Sequence, residues 1–332
     1  MNSTPILSAV VLTLVIYQPE QVSARGGRYP RVAGGVPTSR DKYPYIVSLG
    51  DHNGIHFCAG TVLSKIAILT AAHCTVDWPK YQICISTHDP YIFQDDFNCN
   101  PVTEVIRHEN YESRGDLKDS INDIAIIRIE RPLNIGVDVE IVKLTEIKNS
   151  KQLVGDTVTG IGYGAVATPG QEDTNIYSDL DANTLEWDYC LLDNGDVVDA
   201  FVFSKPLRHV NLTIISRSTC VEKYEDPVHE GQFCAYAPGK GQCFKDSGGP
   251  LLLLNGTQVG IFVSYKKCGS KPGLPCLYTD ISKYRGWINR TMKIINGEVE
   301  QHEILSLPRE SPSKARSYIR STLESKCTIE EL

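Results

Sequence analysis

Three short segments carry residue types that together can break an amide bond. Thr70-Ala-Ala-His73-Cys74 follows an apolar run, Asn122-Asp123-Ile-Ala-Ile opens another, and Lys245-Asp246-Ser247-Gly-Gly-Pro250 forms a Gly-rich turn before Leu251. A serine hydroxyl is a weak nucleophile until a base takes its proton. An imidazole titrates in the range where it can do so, and a carboxylate fixes the imidazole's tautomer and steadies the imidazolium. His73, Asp123 and Ser247 are therefore the candidate base, orienting carboxylate and nucleophile. The other seven histidines have no such partner motif and read as ordinary core or surface residues.

The elements that must position these groups are short. Tyr45–Leu49, Ala67–Thr70, Ile124–Ile127 and Leu251–Leu254 are apolar runs separated by turn residues, a rhythm that points to an all-β barrel or sandwich. One late segment differs, with apolar residues at Ile281, Tyr284, Trp287 and Ile288, which is helical spacing. From Lys293 onward the chain is rich in Glu and Ser, contains Pro308 and Pro312, and reads as an appended, mostly flexible tail.

Composition narrows the class. The 332 residues are 41% hydrophobic and 22% charged, as in a soluble globular protein long enough for a sizeable core. The net charge of −7 is concentrated: between Gln171 and Lys205 stand nine acidic residues against Lys205 alone. That segment interrupts the strand rhythm and reads as an insertion folded onto the surface. No basic stripe suits nucleic acid. The pair Asp95-Asp96 near Asn98 is too little for calcium, so no metal and no cofactor are expected.

Residues 1–24 read as a secretory signal, with a twelve-residue apolar run from Ile6 to Tyr17 and small residues at Val22-Ser23-Ala24. The run is shorter than the roughly 20 residues a membrane span needs. Eleven cysteines and the sequons at Asn211, Asn255 and Asn289 agree with a secreted, extracellular glycoprotein.

Taken in order, with Arg31-Val32-Ala-Gly-Gly35 upstream and Cys58 preceding Cys74, these segments resemble the trypsin/chymotrypsin family of serine proteases from Val32 to about Met292. The resemblance implies two packed antiparallel six-stranded β-barrels with a C-terminal helix. It implies a secreted serine endopeptidase working through a Ser-His-Asp triad and an acyl-enzyme. The chain then divides into a signal peptide (1–24), an activation propeptide (25–31), a protease domain (32–292, with the acidic insertion at about 171–205) and a C-terminal extension (293–332). Cleavage after Arg31 by a trypsin-like protease would free the Val32 amine to bury itself against Asp246. The backbone N–H groups of Lys245 and Ser247 would form the oxyanion hole. Protein or peptide substrates, the activating protease and protein inhibitors are the implied partners. The implied disulfides are Cys58–Cys74, Cys220–Cys234 and Cys243–Cys268, with Cys84 and Cys99 a candidate fourth pair. Cys190, Cys276 and Cys327 remain, and the preferred reading pairs Cys190 with Cys276 and leaves one odd thiol.

Four positions depart from the family pattern. Trypsin-like members carry Asp six residues before the nucleophile, where this chain has Gly241 followed by Gln242. Lys245 replaces a glycine in the oxyanion segment. Lys266 and Cys276 replace glycines that line the specificity pocket. Gly241, Gln242, Lys266 and Cys276 therefore define a pocket without the trypsin-type charge, narrowed to a small or polar side chain, with an acidic preference if the lysines face it. Cleavage after Arg or Lys, and hence self-activation at Arg31, is not expected. The rival expectation is a catalytically impaired homologue that binds proteins as a regulator or decoy, its triad retained beside a misformed oxyanion hole.

Overall fold

The computed structural model describes residues 32, 34–51, 55–79, 84–86, 99–113, 120–137, 139–167, 185–191, 197–204, 206–224, 228–264 and 274–298. The expected signal and activation segments, Lys266, Cys268, Cys327 and the extension beyond 298 lie outside these residues.

After β1 (Val36–Pro37), six strands close a first antiparallel barrel: β2 (Ile46–Gly50), β3 (His56–Ser64), β4 (Ala67–Thr70), β5 (Cys84–Ser86), β6 (Asn100–Arg107) and β7 (Ala125–Ile129). They pair in the ring order β2-β3-β4-β7-β6-β5. β8 (Thr157–Gly162) begins the second barrel and is followed by β9 (Ala165–Ala167), β10 (Leu185–Leu191) and β11 (Val197–Ser204). The last three form a separate small sheet, with β10 and β11 an antiparallel hairpin. The acidic insertion therefore continues the strand rhythm rather than breaking it.

β12 (Arg208–Ile214) returns to the barrel, followed by α1 (Arg217–Tyr224), β13 (Gln232–Tyr236), β14 (Pro250–Leu253), β15 (Gln258–Ser264), β16 (Cys276–Asp280) and α2 (Ile281–Ile295). The ring β12-β13-β16-β15-β14-β8 closes through the pairing of β8 with β12, and β1 adds to the β12 edge. Two six-stranded antiparallel barrels and a C-terminal helix are thus present.

The residue pattern accounts for both walls. In β12, Arg208, Val210, Leu212 and Ile214 are buried while Asn211 and Thr213 face out, the period-two alternation of a sheet with one wet face. One core fills the first barrel and continues between the barrels through Ile161, Leu252 and Ile261 to Ile281, Tyr284, Trp287 and Ile288 of α2. The second barrel has its own core, which includes Val32, Val158, Leu212, Phe262 and Tyr278. α2 starts at Asp280, whose carboxylate accepts from Ser282 N–H and from the Ser150 hydroxyl, an N-cap held in place from outside the helix. The helix continues past Met292 because Ile294 and Ile295 are buried on the same stripe as Tyr284 and Ile288.

Candidate active site

β4 and β7 are neighbours in the first barrel, with Thr70 opposite Ala125. The chain leaving β4 winds into a single 3-10 turn, Ala72–Thr75, and the chain entering β7 arrives through Asn122 and Asp123. His73 and Asp123 therefore meet at one rim. Asp123 is buried and accepts twice from His73: from Nδ1–H to Oδ2 at 2.6 Å, and from the backbone N–H to Oδ1 at 2.9 Å. A carboxylate only accepts, so Nδ1 carries the proton and Nε2 keeps its lone pair, the tautomer a base needs. Thr279 Oγ1 donates to the Asp123 carbonyl at 2.8 Å, tying this turn to β16.

Ser247 reaches the same rim from the second barrel by backbone docking. Ala59 N–H on β3 donates to the Ser247 carbonyl at 2.7 Å, and the Cys58–Cys74 disulfide ties that strand to the His73 turn. Gly248 (φ +79°) is required by the fit: a Cβ there would lie 2.2 Å from Thr70 Oγ1 and 2.3 Å from the Ala59 carbonyl oxygen. Ser247 is partly exposed. His73 Nε2 has Cys74 Sγ at 3.7 Å, and among the described residues no hydrogen bond joins it to Ser247 Oγ, a contact of the kind that tightens on substrate. Cys58, His73 and Cys74 form the one cluster of metal-ligand types among the described residues, and both sulfurs are used in the disulfide.

Lys245 takes φ +70°, the left-handed region that favours glycine. The carbonyls on either side explain how a lysine is held there. Phe244 C=O accepts from Ala165 N–H at 2.8 Å, and Lys245 C=O accepts from His56 Nε2 at 3.0 Å. In a trans peptide the N–H points opposite the C=O, so the Phe244 contact turns the Lys245 N–H away from Ala165. His56 Nδ1 accepts from Ser48 Oγ at 2.7 Å. Burial, then the Lys245 charge, push His56 down to about 3, so it stays neutral and donates from Nε2. Ser48 and His56 were missed in the sequence. The available signal was the position of His56, two residues before Cys58.

At the expected base of the specificity pocket, the Gln242 amide is satisfied internally. Its Nε2 donates to the Ile161 carbonyl at 2.9 Å and its Oε1 accepts from Tyr278 OH at 3.0 Å, and it is fully buried. Cys276 Sγ packs over Gly241. A Cβ on Gly241 would lie 2.5 Å from that sulfur, which itself stands 3.6 Å from the Gln242 carbonyl oxygen. The expected Cys190–Cys276 bridge does not form: Cys276 is a free, buried thiol on the second barrel, whereas Cys190 belongs to β10 of the separate sheet. Burial pushes the Cys276 thiol up to about 12, so it is uncharged. Cys58–Cys74 and Cys220–Cys234 form as expected, and Cys99 and Cys243 are each disulfide-bonded.

Asp246 is buried, with Oδ1 accepting from Gly164 N–H at 2.6 Å and Oδ2 from Cys243 N–H at 2.8 Å. Burial raises it to about 7 against the pull of those two donors, and among the described residues no cationic side chain pairs with it. Val32 is fully buried in the second core at φ +44°. Asn211, Asn255 and Asn289 are all exposed.

A double barrel that gathers histidine, aspartate and serine at the cleft between its halves defines a class of serine hydrolases. The Trypsin family matches residues 32–200 and 193–288. Chymotrypsin-2 of Vespa crabro is 30% identical over 260 residues, covering 78% of this chain and 99% of that protein. Glandular kallikrein of Sus scrofa is 26% identical, covering 79% and 96%. The solved structure of neuropsin, a serine protease expressed in the limbic system of mouse brain, aligns with a TM-score of 0.59 at 26% identity, covering 78% of this chain and 98% of that one. The chain belongs to the trypsin family of serine endopeptidases. Among the described residues, no helix is long and apolar enough to cross a membrane.

Proposed function

We propose that this chain is a secreted serine endopeptidase, made as a zymogen and activated by cleavage after Arg31, with a selectivity that is not trypsin-like. Ser247 Oγ attacks the scissile carbonyl carbon as His73 Nε2 takes its proton, and Asp123 steadies the imidazolium. The N–H groups of Lys245 and Ser247 hold the oxyanion. Collapse of the tetrahedral species breaks the C–N bond, the amine leaves with the proton from His73, and an acyl-enzyme remains. Water, deprotonated by His73, then repeats the attack and releases the acid. The observation that carries this reading is the doubly hydrogen-bonded His73–Asp123 pair, with Ser247 docked beside it through Ala59 and Gly248.

Asp246 supports the activation step. A buried carboxylate without a cation is costly, and an ammonium freed at Val32, itself fully buried, would supply one. Selectivity follows from Cys276: a neutral thiol over Gly241 leaves no partner for Arg or Lys and suits a small side chain before the scissile bond. The impaired-homologue reading draws on Lys245, Lys266, Cys276 and the acidic insertion, and its central point is that Lys245 turns its peptide out of place. The contacts from Ala165 and His56 on either side favour the endopeptidase instead.

A serine-directed fluorophosphonate tests this. Protein cleaved after Arg31 is expected to be labelled at Ser247, with the Ser247→Ala control and the uncleaved chain labelled far less. Labelling no greater than the Ser247→Ala background would sink the proposal.

A further inference from the structure

A cavity of about 400 Å³ opens between α2 and the turn at Asn122, and none of the groups assigned to catalysis or to the specificity pocket lines it. Its inner wall is aromatic. Tyr284 and Trp287 are each 6% exposed, and both rings stand 5.4 Å from the His108 ring, the first edge-on and the second tilted. Burial holds His108 below its ordinary value, with Glu109 opposing and Arg290 adding to the shift, so the ring is uncharged at neutral pH.

The rim is cationic. Lys283 and Arg290 line it, and α2 carries Lys283, Arg285, Arg290 and Lys293 with no acidic residue, on a chain of net charge −7. Arg285 is engaged with Glu146 at 3.0 Å. Glu230, the acid among the lining residues, lies 3.7 Å from Lys283 Nζ, but its side chain is 94% exposed and screens the lysine weakly.

Gly286 lies within α2, where a glycine weakens a helix relative to alanine. Packing does not require it. A Cβ at 286 would meet nothing nearer than Arg290 Nη1, at 3.6 Å. A side chain there would project into the cavity that Gly286 lines, so the glycine keeps the cavity open.

We infer that this cavity is a second ligand site, separate from the catalytic cleft, that takes an aromatic carboxylate. The ring packs against Trp287 and His108 in edge or offset geometry, and the carboxylate pairs with the Arg290 guanidinium and the Lys283 ammonium. The volume is that of a small-ligand site. A free aryl acid and the C-terminal aromatic residue of a peptide share this chemistry.

The test uses the full chain carrying Ser247→Ala, so that it needs no catalytic activity, and follows the Trp287 indole N–H resonance during titration. The probes are 3-phenylpropionate for the free acid and N-acetyl-Ala-Phe for the peptide terminus, and the tighter binder identifies the source. Saturable binding is expected with a Kd on the order of 1 mM. Acetate, which lacks the ring, and 3-phenylpropanamide, which lacks the charge, are expected to bind ~10-fold more weakly or worse. Arg290→Glu should weaken the acid by a similar factor. Gly286→Leu should abolish binding without lowering the thermal midpoint. Absence of saturable binding, equal binding of acid and amide, or binding that survives both substitutions would each overturn the inference.

Discussion

The two barrels supply the cleft in different ways. The first contributes His73 and Asp123 from adjoining ends of the β4–β7 pair, joined by two direct hydrogen bonds and anchored by the Cys58–Cys74 disulfide. The second contributes the loop from Gly241 to Gly249, which carries a left-handed lysine and a buried carboxylate raised to about 7. Several of the donors that hold this loop come from outside it: Ala59 and His56 from the first barrel, Gly164 and Ala165 from the chain after β8. The first half is tied together by its own hydrogen bonds. The second contains a buried carboxylate that no cationic side chain pairs among the described residues, and that half is where the proposed cleavage, and pH, would act.

The largest effect should come from breaking the first half. Asp123→Asn keeps the shape of the side chain but replaces an acceptor with an amide that can donate to Nδ1, which puts the His73 proton on Nε2. Acylation by the Arg31-cleaved enzyme should fall ~10⁴-fold in a stopped-flow burst measurement. A loss below about 10-fold would mean that Asp123 does not set the tautomer.

The second half predicts a dependence on pH. In the uncut chain the folded value of Asp246, about 7, lies above its unfolded value of 3.8. The folded state therefore binds the proton more tightly. The associated stability is present below pH 3.8 and is lost as pH rises through about 7. Thermal midpoints of the uncut Ser247→Ala protein should fall across that window relative to the same protein carrying Asp246→Asn. After cleavage at Arg31 the Val32 ammonium should remove or reverse the difference. Parallel midpoint curves for the two uncut proteins would show that Asp246 is not the buried acid responsible.

The same contrast explains what the sequence could show. His73, Asp123 and Ser247 stand in short contiguous motifs whose geometry is local to a turn or a strand end, so type and spacing located them. The all-β rhythm was legible because apolar runs and turn residues are local as well, whereas the two closed barrels followed only from the family resemblance. The state of the second-barrel loop was not. Gln242 turns inward because Tyr278 and the Ile161 carbonyl satisfy its amide, partners 36 and 81 residues away. His56 acquires its role from a carbonyl 189 residues distant. The free state of Cys276 depends on which sheet each cysteine occupies, which cysteine counting does not contain. The acidic run masked two strands, since backbone pairing does not depend on the charge of the side chains.

Cys276→Gly sharpens the comparison at the pocket. Removing the thiol from above Gly241 restores depth without touching the side-chain hydrogen bonds of Gln242. The kcat/KM ratio for Phe over Ala before the scissile bond should rise ~10–200-fold across a matched peptide series. An unchanged ratio would place the limit on side-chain size elsewhere.

The smallest effect is expected at Lys245, and it separates strain from charge. A non-glycine residue in the left-handed region costs roughly 1–2 kcal/mol, part of which glycine returns through its larger unfolded-state entropy. Lys245→Gly should therefore stabilise the protein by about 0.5–1 kcal/mol, a rise of ~1–4 °C in the thermal midpoint. Lys245→Ala removes the same charge but keeps a Cβ at φ +70°, so it should show no such gain. Equal midpoints for the two variants would mean that the loop is not strained at this residue. The first barrel offers the counter-case in Asn122, at φ +54°. Asparagine tolerates that region, and here its side chain also accepts from Tyr284 OH and donates to the Asn110 carbonyl. Asn122→Gly should accordingly destabilise, because two hydrogen bonds are lost where little strain is relieved.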